Sequence, residues 1–110
     1  MTTLEQIKRL KVAGYEFNPA CDLVYNPDGH LMLRRLYNPA FIHECQPCPS
    51  EKELMDWLAK NCRWMYLRYN KTTGINWEFD CEKTQSLIEH TDLTECLVQA
   101  VIAVMKGAKC

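Results

Sequence analysis

Three residues close together in sequence, His43, Cys45 and Cys48, combine the side chains that bind soft metals. In His43-Glu-Cys-Gln-Pro-Cys48 two thiols sit three residues apart beside an imidazole. A Cys-x-x-Cys pair with a nearby histidine is half of a zinc site, because four thiolate or imidazole ligands close the tetrahedral shell that zinc prefers. Cys62, Cys81 and His90 are candidates for the other half, but none belongs to a second closely spaced pair. Zinc held by His43, Cys45 and Cys48 is therefore one reading; two free thiols in a proline-rich loop is the other. Redox chemistry also uses Cys-x-x-Cys where a helix N-terminus lowers the first thiol's pKa. Pro49 and Ser50 do open a helix after Cys48, yet no βαβ unit precedes the motif. A thiol oxidoreductase is thus the last of the readings.

Nucleophilic catalysis needs a nucleophile, a base and an orienting group in contact. His30, His43 and His90 are the available imidazoles, and surface or turn positions account for all three. No nucleophile elbow, phosphate loop or paired-carboxylate motif is present. The chain is expected not to be an enzyme. A different grouping is Arg63, Trp64, Tyr66, Arg68, Tyr69 and Lys71, which mixes aromatic and basic residues on one segment. Such a set can stack nucleic-acid bases. The formal net charge of −1 lacks the basic excess of a phosphate-binding domain, so no direct nucleic-acid partner is expected. If exposed, Trp64, Tyr66 and Arg68 instead form a protein-binding patch, since these residue types dominate binding hot spots.

The elements that must position these residues follow from periodicity and caps. Leu4, Ile7 and Leu10 recur at helical spacing, with Thr3 and Gln6 as a capping box and Gly14 as the stop, predicting a helix over 4–13. Asp22 to Tyr25 and His30 to Tyr37 flank the turn Asn26-Pro-Asp-Gly29 and read as a hairpin. The second arm has some helical character, but the turn chemistry decides for a strand. Residues 38–49 read as an irregular surface connection. Ser50-Glu-Lys-Glu53 is a second capping box, opening a helix that ends near Asn61. Arg63 to Asn70 alternates, with Met65, Leu67 and Tyr69 on one face and Trp64, Tyr66 and Arg68 on the other. After the loop 70–74, Ile75 to Cys81 returns, with Ile75, Trp77, Phe79 and Cys81 on one face and Asn76, Glu78 and Asp80 on a wet one. Gln85 to Glu89 is open to a third short strand. Thr91 or Asp92 caps a last helix over 93–106, apolar through Leu97, Ala100, Val101 and Val104 and ended by Gly107.

This order predicts a single α+β domain over residues 1–110, a two-layer sandwich in which an antiparallel sheet of short hairpins is packed by about three helices. Hydrophobic residues are 47% of the chain and charged residues 25%, which is globular rather than disordered composition. The longest apolar run, Cys96 to Met105, is far short of the ~20 residues of a membrane span, so no membrane association is expected. Seven cysteines, an odd number, with no secretion signal, indicate free thiols and a cytoplasmic location. Exposed Cys110 would be open to artefactual disulfide dimers.

The C-terminal half, through Trp77-Glu-Phe79 and Thr91-Asp-Leu-Thr-Glu-Cys-Leu-Val-Gln-Ala-Val-Ile-Ala-Val104, resembles a class of short accessory proteins of tailed phages and prophages. In that class an aromatic strand precedes a capped Thr-x-x-Glu-Ala-Leu helix; Cys96 departs from it where Ala is usual. The resemblance carries over no catalytic residue. It implies an anti-CRISPR-like style of action in the host cytoplasm, binding and inhibiting a host enzyme or defence complex. The function expected is therefore protein–protein binding. A zinc-stabilised module built on the His43, Cys45 and Cys48 loop is the alternative, and no other cofactor is expected.

Overall fold

The first helix forms where its caps require. The computed structural model describes residues 1–72, 74 and 76–108, the last of these by its backbone alone. In α1 (Leu4–Ala13), Thr3 Oγ1 accepts from Gln6 N at 3.2 Å and Gln6 Oε1 accepts from Thr3 N at 2.9 Å. These bonds satisfy amides that a helix start leaves orphaned. Gly14 ends α1 at φ 95°, a left-handed conformation that costs little without a Cβ.

The first hairpin pairs β1 (Leu23–Tyr25) with β2 (Leu31–Leu33). Asn26 Oδ1 holds the turn by accepting from Asp28 N and His30 N. The expected second arm, 30–37, is cut short. Arg34 N still donates to Asp22 O at 2.8 Å, but β1 is then exhausted, and the chain turns into a 3-10 helix over Arg34–Leu36. The stretch 38–49 is more ordered than expected. A 3-10 helix spans Pro39–Glu44, capped by Asn38, and β3 (Gln46–Cys48) joins the other side of β1. Pro47 lies in β3 because β3 is an edge strand, where a missing N–H breaks no interior ladder.

Helix α2 (Glu51–Asn61) starts on Ser50, whose Oγ accepts from Glu53 N at 3.1 Å, and it buries Leu54 and Leu58 completely. The second sheet has the order β4 (Met65–Tyr69), β5 (Trp77–Cys81), β6 (Ile88–His90), all antiparallel. Ile75, expected to open the return strand, lies outside the described residues, as does Cys110. The third strand does form, at 88–90. Its faces depart from the expected pattern at Glu78, which is 5% exposed rather than wet. Arg68 Nη2 and Asn70 Nδ2 donate to its two carboxylate oxygens at 2.9 and 3.0 Å, satisfying the buried charge.

Helix α3 (Leu93–Ala108) begins where Asp92 Oδ2 accepts from Glu95 N. It continues through Gly107 instead of ending there. A Cβ at Gly107 would lie 2.9 Å from Lys83 O, so this glycine permits a close approach of the 82–84 backbone rather than a helix stop. Leu97, Val98, Ala100, Val101 and Val104 have no exposure. They face α1, α2, β5 and β6, so α3 is the wall shared by both helices and the second sheet. The architecture is α+β, with helices packed on antiparallel strands, and among the described residues the strands divide into two sheets of three. Among the described residues no helix is long and apolar enough to cross a membrane.

Candidate functional site

Strand β4 is an edge strand; it carries Tyr66, Arg68 and Tyr69, and Arg63, Trp64 and Lys71 flank it. Trp64 is 51% exposed, Tyr66 41% and Tyr69 47%. The Arg68 guanidinium lies 5.6 Å from the centre of the Tyr66 ring, and Tyr69 packs on Trp77 with ring centroids 5.0 Å apart. Cross-strand pairing sets Tyr66 beside Asp80 and Arg68 beside Glu78, and Glu78 beside Glu89 of β6. The outer face of the sheet is thus an aromatic and cationic strand next to an acidic one. Asn70 N donates to Asn76 O. By the two-residue repeat of an antiparallel ladder, residues 66, 68 and 70 then bond inward to β5. Met65, Leu67 and Tyr69 direct their backbone N–H and C=O groups to the open edge, where a further strand can pair.

The three residues of the Cys-x-x-Cys loop do not converge. His43 is exposed on the 3-10 helix, whereas Cys45 and Cys48 are both buried. The chain here enters a strand, and residues three apart on a strand point to opposite faces. Cys48 donates its Sγ–H to Thr2 O at 3.3 Å beside Cys21. Burial, then the neighbouring Cys21, pushes the Cys48 thiol up to about 11, away from the low pKa of a nucleophilic thiol. His30 is exposed, and His90 Nδ1 accepts from Asp92 N at 2.9 Å at the entrance to α3.

A different set of donors comes together where α2 leads into β4. Sγ of Cys62, Sγ of Cys81 and a carboxylate oxygen of Glu82 all lie within 4.8 Å of one another. Cys81 is buried, Cys62 half-buried and Glu82 exposed. Glu82 is fixed by backbone amides: Arg63 N donates to both of its oxygens at 3.0 and 2.8 Å, and Trp64 N to one at 3.0 Å. Lys83 N donates to Cys81 Sγ at 3.4 Å, and Lys83 Nζ is held on Asn61 O at 2.6 Å. Burial, then the Cys81 thiol and the Glu82 carboxylate, push the Cys62 thiol up to about 12.

Cys62 and Cys81 are candidate ligands from the sequence, but at 19 positions apart their spacing does not pair them, and nothing in it points to Glu82. The signal lay in hairpin register. Met65 opposite Cys81 carries the residues just before β4 alongside those just after β5. No protein-family model, no curated protein and no solved structure matches this chain.

Proposed function

We propose that the protein acts by binding another protein through the outer face and free edge of β4, with Trp64 and Tyr66 as anchors. The observation that carries this reading is the exposure of Trp64, immediately before the edge strand β4, and of Tyr66 on its outer face. Large aromatics exposed together are the residue class that dominates binding energy at interfaces. Arg68 borders the patch but is committed to the buried Glu78. Its removal would disturb the sheet as well as the surface, so the two aromatics are the cleaner probes. Following the phage resemblance, the partner proposed is a host enzyme or defence complex that the protein inhibits by occupying its surface.

Capture of partners from host lysate tests this reading. Trp64→Ala and Tyr66→Ala are each expected to abolish capture while leaving the circular dichroism spectrum and melting transition close to those of the parent. Capture unchanged in both variants would remove this face from consideration.

A further inference from the structure

We propose that Cys62, Cys81 and Glu82 form a zinc-class metal site, with two thiolates and one carboxylate as ligands and the fourth position left to solvent. This inference does not depend on the protein-binding reading.

The donor set selects the ion. Two sulfur ligands exclude calcium and magnesium, which take oxygen, while a carboxylate beside two thiolates suits zinc and its close analogues. The span fits. Tetrahedral zinc at ~2.3 Å from sulfur holds two thiolates about 3.8 Å apart, and the three donor atoms already lie within 4.8 Å of one another. The ligands are also supported from behind. Glu82 is oriented by the Arg63 and Trp64 amides, and Cys81 Sγ receives the Lys83 amide. Supporting bonds of this kind fix ligand geometry in metal sites. The mixture of burial completes the picture: Cys81 is closed off, while Cys62 and Glu82 reach the surface and give an ion a path in.

Each Cys loses its S–H proton to solvent as a sulfur–metal bond forms, so one ion bound releases two protons and affinity rises with pH.

Cobalt(II) is the probe, added to the full chain, freshly reduced and freed of metal. Binding is expected to produce thiolate-to-cobalt charge transfer and tetrahedral d–d absorption, both displaced by zinc. Cys62→Ser, at a half-buried position, should remove the charge-transfer band with the far-ultraviolet dichroism unchanged. Glu82→Gln removes a ligand and should weaken cobalt binding by at least the about ten- to hundredfold seen when only a ligand's supporting partner is lost. Cys45→Ser with Cys48→Ser should leave the band intact. The proposal is overturned if the parent gives no charge-transfer band. It is overturned equally if the band survives Cys62→Ser, or if it disappears in the Cys45 and Cys48 double variant alone.

Discussion

Glu95 sits in the first turn of α3 with its side chain 15% exposed, and three donors converge on it. Arg9 Nη1 lies 2.7 Å and Gln6 Nε2 3.1 Å from Oε1, and Gln99 Nε2 lies 2.8 Å from Oε2. Burial alone would raise its pKa; the hydrogen bonds from Arg9, Gln99 and Gln6 outweigh it and hold the carboxyl down at about 2. A carboxyl depressed by folding stabilises the native state above its unfolded pKa, and that stability is lost as pH falls through the folded value. The window for Glu95 therefore runs from about 4.5 down to about 2. Discounted for the exposed Arg9 head, the contribution is about 2 kcal/mol. Urea denaturation across that range should show Glu95→Gln less stable than the parent at pH 6, with the gap closing toward pH 2. A gap that stays constant with pH would mean the carboxylate charge is not what binds α1 to α3.

At the scale of elements, caps and apolar stripes were legible and strand ends were not. Thr3 with Gln6, Ser50 with Glu53, and the stripe Leu97, Ala100, Val101 and Val104 each carry local chemistry that works wherever the helix docks. β3 was invisible because its sequence, Gln-Pro-Cys, has no strand propensity. It pairs because tertiary folding brings it to the free side of β1. The buried Glu78 was hidden for a similar reason: alternation marks it polar, but its partners sit ten and eight residues away on the neighbouring strand and loop. Gly107 is the instructive case. By propensity, alanine in a helix is better than glycine by about 1 kcal/mol. Here the added methyl would press on Lys83 O, a backbone atom that cannot swing aside. Gly107→Ala is expected to destabilise by about 1 kcal/mol or more, read as a lower urea midpoint with an unchanged slope. A rise in stability would show that the contact yields.

The whole molecule is flat, 45 by 33 by 19 Å, with a radius of gyration of 14.9 Å against ~13 Å for a compact chain of about this length. The first sheet is fastened through Thr2, which is completely buried. Thr2 Oγ1 donates to Pro49 O at 2.6 Å, and Thr2 O accepts from Tyr25 Oη at 2.8 Å and from Cys48 Sγ. With three-residue strands and so local an attachment, this sheet should open more readily than β5 and α3. Thr2→Val deletes the bond to Pro49 and should cost about 1 kcal/mol locally. Amide exchange in residues 23–25 and 46–48 is then expected to quicken about fivefold, while exchange in residues 97–104 stays as it was. Uniform acceleration across both regions would show that the sheet and the core open as one unit.

The position of α3 in the chain has a consequence for synthesis. It follows every element it packs against, so translation delivers α1, α2 and the second sheet before the helix that covers them. Leu10, Leu54, Leu58 and Phe79 stay open to water until residues 97–104 have left the ribosome. The core is thus expected to close in one late event rather than element by element, with this apolar surface exposed until then.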